Sequence, residues 1–326
     1  MKGWRRGEGA TALETNMAAV VDVEKGKPEL IEPDLELIEE LKHFGADTFH
    51  KCYQCATCSV ACSLSPDQDP FPRKQMLWAK WGLKDRLLKD LDVWTCYYCG
   101  NCSTRCPRNA EPGETMMALR RYLTSQYDWT GISRLLYTSR WREIGAVVGL
   151  GLLVVVLFAL SGAFSAARMP ADAVSVNTFI PVGWVHAFDL VMAAVLTFFL
   201  LTNTYRMWRF VMEGVDASLS AYISGLKTFV IHAVTQKRWR DCDQEDHSIW
   251  LIHFIFVPAY VAMFTLVMFF LENLQVDTSE FTSVSLLGYV IAGILLYVSG
   301  NAILSRLRKT EEIHKHSHDS DWMFLI

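Results

Sequence analysis

The chain has 326 residues, enough for about two domains, with a formal net charge of −4 and an isoelectric point near 6.1. This acidic balance gives no reason to expect a nucleic-acid partner. The overall composition averages over two different halves of the chain. Residues 1–140 hold eight of the nine Cys, whereas residues 144–304 are dominated by apolar runs. The polar N-terminal arm, residues 1–32, has an Arg pair but no apolar export segment behind it. We therefore expect the cysteine-rich half to stay in the cytoplasm, where thiols remain reduced.

Two cysteine runs share the spacing C-x2-C-x2-C-x3-C. The first contains Cys52, Cys55, Cys58 and Cys62, and the second contains Cys96, Cys99, Cys102 and Cys106. This spacing is typical of [4Fe–4S] ligation, in which three close thiolates hold one cluster and the fourth Cys of each run ligates the other cluster. We predict a first cluster on Cys52, Cys55, Cys58 and Cys106, and a second on Cys96, Cys99, Cys102 and Cys62. The alternative is a zinc site, but zinc sites usually pair two C-x2-C units across a long gap.

The rest of residues 33–140 has helical periodicity and no strand alternation. The predicted helical segments are residues 33–50 with Asp34 as the cap, the insert KQMLWAKWGLKDRLLKDLDVW between the cysteine runs, and Glu114–Tyr127 after the breaker pair Pro112-Gly113. A long helical insert argues against the compact β-containing bacterial ferredoxin. It favours an all-helical two-cluster domain over residues 33–140.

Four apolar stretches follow, each long enough to cross about 30 Å of hydrocarbon. They cover approximately residues 144–167, 179–203, 248–271 and 281–304. Lys and Arg lie before the first stretch and after the fourth, so both ends are predicted to be cytoplasmic, on the side of the clusters. Residues 219–233 predict an amphipathic helix on the cytoplasmic face or against a partner. We thus predict a multi-pass domain over residues 141–326 of the cytoplasmic membrane, truncated at its end because a new apolar run starts near Ile326.

Ionisable residues within the apolar stretches are candidates for cofactor binding. His186, His253 and His247 are candidate ligands of one or two b haems, since imidazole suits haem iron. Asp189, three residues after His186, is a candidate to orient the imidazole or to relay a quinone proton. The alternatives are ordinary interfacial histidines and a solvated Asp. His186 lies on the outer side and His253 on the inner side, so the two are not expected to clamp one iron.

The chain shows no G-x-G-x-x-G after a strand and no P-loop, so flavin or substrate chemistry is expected on partner subunits. Basic residues beside the second cysteine run suggest a docking surface for an acidic partner. They are Arg105, Arg108, Arg120 and Arg121. The alternative is that these arginines face anionic lipid or offset cluster charge.

The order of parts resembles the C-type and E-type subunits of heterodisulfide reductase fused in one chain. The stretch WTCYYCGNCSTRCPRNAEPGETMMALRRYL is similar to the QmoC-type membrane subunits of the quinone-interacting membrane-bound oxidoreductase of sulfate reducers. This resemblance covers about residues 35–326. It implies menaquinone, b haems, flavoprotein partners resembling QmoA and QmoB, and adenylylsulfate reductase as electron acceptor. It also suggests that His253 matches a histidine of related membrane subunits.

The sequence therefore predicts an all-α protein, with a helical two-[4Fe–4S] domain followed by a transmembrane bundle of haem b type. The leading function is electron transfer between the menaquinone pool, haem b, the clusters and a cytoplasmic flavoprotein, within an oxidoreductase complex of sulfate reduction. No complete substrate-converting site is expected in this chain alone. The alternatives are the equivalent subunit of a heterodisulfide reductase-like or sulfite-reduction complex, and a non-redox membrane anchor with structural clusters.

Overall fold

The computed structural model describes residues 32–162, 177, 180–237, 240, 247–276, 282–310, 314, 318 and 322. In these ranges every regular element is a helix and no strand occurs, so the predicted all-α class is confirmed. The helices of the cysteine-rich half are α1 Leu35–His43, α2 Thr57–Val60, α3 Arg73–Lys80, α4 Lys84–Leu88, α5 Asp92–Thr95, α6 Asn101–Thr104, α7 Pro112–Tyr127 and α8 Ile132–Tyr137.

Helix α1 is shorter than the helix predicted over residues 33–50. Asp34 caps it as expected, since its Oδ1 accepts a hydrogen bond from the Leu37 N–H at 3.0 Å. The helix ends at His43, and Gly45 follows with a φ of 99°. A left-handed residue terminates a helix because its backbone cannot continue the turn. A separate 3-10 turn, Phe49–Lys51, leads into the first cysteine run.

The insert between the cysteine runs is helical, but it forms three short helices, α3, α4 and α5, rather than one long one. Gly82, with a φ of 66°, separates α3 from α4. Its carbonyl accepts a hydrogen bond from the Asp34 N–H at 2.9 Å, and an added Cβ would lie 2.4 Å from the Asp34 carbonyl oxygen. Glycine is therefore required there both by its backbone conformation and by the close approach of the Asp34 backbone.

Helix α7 is the centre of the cysteine-rich half. It begins at Pro112 rather than after the pair Pro112-Gly113, because proline fits the first position of a helix, where no backbone N–H is needed. Its buried face packs against α1, with Phe44 and Tyr122 in an edge-to-face contact at 5.6 Å. The fully buried members of this core include Leu37, Leu41, Met76, Met116, Leu119, Tyr122 and Leu123.

A buried carboxyl group lies under α3. The Asp90 carboxylate accepts hydrogen bonds from Gln75 Nε2 at 2.8 Å and from the Asp92 N–H at 3.2 Å. Lys74 lies 4.0 Å away and bonds more closely to Asp92. Burial raises the pKa of Asp90 to about 6, which shows that desolvation outweighs these hydrogen bonds.

Four helices of the second half are long and apolar enough to cross a membrane. They are α9 Arg140–Leu160, α10 Val182–Val211, α12 Ser248–Leu274 and α13 Ser283–Arg308, with the amphipathic helix α11 Leu219–Thr235 between the second and third. Each overlaps an apolar span that the sequence predicts. Helix α9 ends at Leu160, before the predicted end at residue 167, and residues 163–167 lie outside the described ranges. Helix α10 extends to Val211, past the predicted end at residue 203, because its last turns pack against the cysteine-rich half. Helices α12 and α13 pack on each other around Ala259, Leu266 and Ile291.

The two halves meet where α7 ends. Arg206 of α10 donates from Nε to the Tyr127 carbonyl at 2.8 Å, and the Tyr127 ring lies 5.8 Å from that of Phe210. Nearby, Trp129 stacks on Phe199 and donates from its indole N–H to Thr202 Oγ1 at 3.2 Å. These contacts hold the cysteine-rich half at the C-terminal end of the second apolar helix.

Candidate iron–sulfur centres

The two cysteine runs fold as two copies of one local structure. In the first run Gln54 and Ala56 have φ values of 66° and 67°, and in the second run Tyr98 and Gly100 have φ values of 57° and 80°. Each pair of left-handed residues is followed at once by a four-residue helix, α2 or α6. The equal spacing of the cysteines is therefore matched by an equal path of the backbone around them.

The structure brings the eight cysteines into two groups, each lining a cavity. One cavity is lined by Cys52, Cys55, Cys58 and Cys106. The other is lined by Cys62, Cys96, Cys99 and Cys102. We call them the first and the second cavity. The fourth cysteine of each run thus lies with the first three of the other run, which is the grouping that the crossed assignment names. Ligation itself stays a prediction.

The donor set of both cavities suits a cluster of several irons. Four thiols converge on each cavity, and thiolate is the ligand that iron–sulfur clusters take from proteins. Within the described ranges, no three His, Cys, Asp or Glu side chains are disposed to hold a single metal ion.

Hydrogen bonds to sulfur are present in both groups. Cys52 Sγ accepts from the N–H and from Nε2 of Gln54 at 3.4 and 3.5 Å, and Cys106 Sγ accepts from the Ala110 N–H at 3.4 Å. In the second run, the Tyr98 N–H donates to Cys96 Sγ at 3.3 Å. Such donors stabilise the negative charge of a thiolate and help to set a cluster's reduction potential.

Burial raises the pKa of several of the thiols. It raises the pKa of Cys58 to about 11 and that of Cys96 to about 11, and it also raises the pKa of Cys102. Exposed Cys55 differs, because a hydrogen bond with Thr57 lowers its pKa. Buried thiols without metal are therefore neutral at pH 7, and iron must displace their protons when it binds.

Two serines outside the predicted ligand set connect the cysteine runs to helices α3 and α7. Ser59 Oγ accepts from the Arg73 N–H at the start of α3, and Ser103 Oγ accepts from the Gly113 N–H at the start of α7. An added Cβ on Gly113 would lie 3.0 Å from Ser103 Oγ and 3.6 Å from Cys102 Sγ. The sequence shows this repeat, since a serine directly follows the third cysteine of each run.

The predicted docking surface is wrong for two of its four arginines. Arg120 donates from Nε to the Val93 carbonyl and from Nη2 to the Cys96 carbonyl, at 2.9 and 2.5 Å. Arg121 is buried, and its Nη1 donates to the Phe44 carbonyl at 2.8 Å. Both guanidinium groups serve the fold, because they satisfy backbone carbonyls inside the domain. Arg105 and Arg108 are exposed, as that hypothesis requires.

The candidate haem ligands His186 and His253 lie far from one another along the helices. His186 Nε2 lies 2.9 Å from the Met268 carbonyl oxygen, so it joins α10 to α12. His253 lies fifteen positions before Met268 on α12, which is about 22 Å along the axis. The structure therefore does not bring His186 and His253 together. His247 is the cap residue of α12 and packs edge-on against Trp250, and half-buried Asp189 lies one turn after His186. Their cofactor roles stay predictions.

Comparison with known proteins identifies the cysteine-rich segment. Residues 48–110 match the family model of the 4Fe-4S dicluster domain. A protein of Archaeoglobus profundus that is named for its likeness to the C-type subunits of heterodisulfide reductase is 33% identical over 117 residues, which cover 32% of this chain and 62% of that protein. The iron–sulfur segment is like that of the C-type heterodisulfide reductase subunits.

Two further relatives are also named as C-type subunits of heterodisulfide reductases. The C-type iron-sulfur subunit of the CoB–CoM heterodisulfide reductase of Methanopyrus kandleri is 33% identical over 92 residues, covering 28% of this chain and 45% of the relative. The C-type subunit of the H(2):CoB-CoM heterodisulfide,ferredoxin reductase of Methanothermobacter marburgensis is 37% identical over 79 residues, covering 24% and 42%. The chain thus spans between 42% and 62% of the length of these three relatives. No solved structure matches the chain.

Proposed function

We propose that this chain is the membrane electron-transfer subunit of a quinone-interacting oxidoreductase complex. Residues 33–140 carry two [4Fe–4S] clusters on the cytoplasmic side, behind an N-terminal arm of residues 1–32. Residues 141–326 form a domain in the cytoplasmic membrane that exchanges electrons with menaquinone through haem b. The soluble partners are flavoproteins resembling QmoA and QmoB, with adenylylsulfate reductase as the acceptor in sulfate reduction.

The observation that carries this proposal is the convergence of the eight cysteines on two adjacent cavities. Each cavity gathers four thiols with hydrogen-bond donors aimed at sulfur, and residues 48–110 match a dicluster family model. Two clusters in one small domain form a short relay. Because cluster potentials respond to charge, hydrogen bonding and exposure, the protein can set the potential of each one separately.

Contacts at the junction support a route between the relay and the membrane half. Trp94 lies two residues before Cys96, and its ring is 6.4 Å from that of Tyr127. The Tyr127 ring is in turn 5.8 Å from that of Phe210 on α10. This packed series of aromatic rings joins the second cysteine group to the second apolar helix.

Haem b would supply one-electron transfer between quinol and the clusters. His253, half-buried in α12, is the ligand candidate that we favour. His186 could serve a second haem, but its Nε2 is held by the Met268 carbonyl and would have to leave it. His247 is exposed at the helix start, and Asp189 is placed to hold or move a proton beside α10.

A second candidate function is the equivalent subunit of a heterodisulfide reductase-like complex. The names of the three relatives favour it, since each is a C-type subunit of a heterodisulfide reductase or is named for its likeness to one. Both functions need the same relay and differ in the soluble partner. Purification of the native complex would separate them, because the co-purifying catalytic subunit defines the end reaction.

The test of electron transfer is a redox titration of the full-length chain in lipid nanodiscs. Iron and sulfide analysis should give two [4Fe–4S] clusters per chain, and EPR should show both clusters changing oxidation state. Menaquinol added with the soluble partner should drive that change through the membrane half. Clusters that keep one oxidation state throughout would instead support the structural anchor, and bound zinc in place of iron would remove the relay altogether.

A further inference from the structure

The two cavities differ in the charge around them. Arg73 and Arg108 line the first cavity, and Lys80 donates from Nζ to the Cys52 carbonyl at 2.7 Å. We call these three residues the basic rim. By contrast, no Asp, Glu, Lys, Arg or His is among the described residues that line the second cavity. The second group has one neighbouring cation, because Arg120 donates to the Cys96 carbonyl, but that guanidinium is half-buried. The two groups therefore differ in exposed charge, since Lys80 and Arg108 beside the first cavity both face solvent.

The basic rim faces solvent. Lys80 and Arg108 are exposed, as are Cys55 and the ring of Tyr53, which is 57% exposed. Arg73 is half-buried, with its Nε bonded to Gln54 Oε1 at 3.3 Å. A thiol of the first group thus reaches the surface among positive charges, where a protein partner could approach it closely.

The second cavity has a different neighbourhood. Its Cys96 is joined to the membrane half by the ring series Trp94, Tyr127 and Phe210. Helix α7 runs from the two cavities to this junction, over 16 residues or about 24 Å. The second cavity is thus the one connected to the apolar helices, and the first presents the charged surface.

We propose that the basic rim is the docking face for an acidic redox protein, and that the relay is polarised, with the second cluster serving the membrane half and the first serving that partner. This inference rests on the proposed electron-transfer function. In the transfer step, one electron leaves the reduced first cluster, which returns to its oxidised form. The partner's oxidised flavin or iron–sulfur group gains that electron. Complementary charge should act mainly on the rate of encounter.

The experiment measures electron transfer to a soluble acidic probe, oxidised flavodoxin, by stopped flow. The full-length chain, loaded with clusters in nanodiscs, is first reduced with dithionite and then freed of excess dithionite, so that the clusters are the electron donors. The test variant combines Lys80→Glu with Arg108→Glu, and a milder variant combines Lys80→Gln with Arg108→Gln. The control is Arg86→Glu, at an exposed position of α4 that lines neither cavity, and it changes the net charge by the same amount as the Gln pair.

At low ionic strength the Glu pair should lower the second-order rate constant by about tenfold or more, since steering of this kind is worth one to three orders of magnitude. The Gln pair should lie between it and wild type, and Arg86→Glu should match wild type. The differences should vanish near 1 M salt, where the Debye length is about 3 Å. Reoxidation by a small uncharged quinone should stay unchanged in every variant.

Several outcomes would overturn the proposal. One is a wild-type rate in the Gln and Glu pairs when iron content and dithionite-reduced EPR signals are also those of wild type. Another is a loss in Arg86→Glu equal to that in the Gln pair, which would indicate net charge rather than a docking face. Loss of binding to anionic vesicles without any change in the flavodoxin rate would make the rim a lipid contact. The failure of dithionite to reduce wild-type clusters would refute the electron-transfer function itself, before any variant is compared.

Discussion

Arg120 offers a sharp test of how the second cysteine run is held in place. Its guanidinium donates to the carbonyls of Val93 and Cys96, which lie on either side of Trp94 and lead into the run. Losing one hydrogen bond to a charged group costs about 1.5–3 kcal/mol. Arg120→Ala removes two such bonds and leaves both carbonyls without this donor, so we expect a loss of roughly 3–5 kcal/mol.

The assay follows thermal bleaching of cluster absorbance in the full-length chain. A change of 3 kcal/mol in a domain of this size corresponds to a fall of roughly 10–20 °C in the midpoint. Arg120→Lys should recover only part of the loss, because an ammonium group cannot reproduce the planar fork that reaches two carbonyls. Arg105→Ala, at an exposed position in the same run, is the matched control and should leave the midpoint unchanged.

The opposite pattern would refute the reasoning. If Arg120→Ala kept the wild-type midpoint and iron content but slowed transfer to flavodoxin at low salt, Arg120 would belong to the docking surface after all. The hydrogen bonds to the two carbonyls would then contribute little to the fold.

Four further results are expected. Cys106→Ser should alter the EPR signal of the first cluster and Cys62→Ser that of the second, and an effect of each on its own run would refute the crossed assignment. Gly82→Ala should lower the bleaching midpoint by the equivalent of at least about 1–2 kcal/mol, because its left-handed φ disfavours a side chain. Asp90 has a pKa raised from 3.8 to about 6, so its contribution to stability is complete below about pH 4 and is lost as the pH rises through 6. Asp90→Asn should therefore flatten the decline of the midpoint between about pH 4 and 7 relative to wild type. His253→Leu should remove a b-haem absorbance band while cluster iron is retained, and unchanged haem content would exclude it as a ligand.

Local rules in the sequence predicted much of this architecture. The helical class, the four apolar helices and the grouping of the eight cysteines all follow from residue spacing. The breaks at Gly45 and Gly82 were missed because their conformations serve contacts with distant segments, such as the Asp34 backbone. Helical periodicity does not register such contacts.

The arginines of the predicted docking surface also show what residue spacing alone does not predict. Their charge suggested an exposed surface, but whether a guanidinium faces solvent depends on which carbonyls the fold brings near it. Arg120 and Arg121 point inward from α7, where they meet the backbone of Val93 in α5 and of Phe44, the residue directly after α1. Arg73 lies eleven residues beyond the first run but still lines the first cavity. Its N–H donates to Ser59 Oγ, and this hydrogen bond holds the start of α3 beside that cavity.

The exchange of fourth cysteines between the runs also bears on how the protein is made. The first cavity includes Cys106, so its wall is incomplete on the ribosome until that residue has emerged. The second cavity closes at nearly the same moment, since Cys102 is only four residues earlier. Insertion of either cluster would then wait until the chain has been synthesised to Cys102 or Cys106, well past the first run. Each bound cluster would also tie together segments more than thirty residues apart, and such closures restrict the unfolded chain most when the closed loop is long.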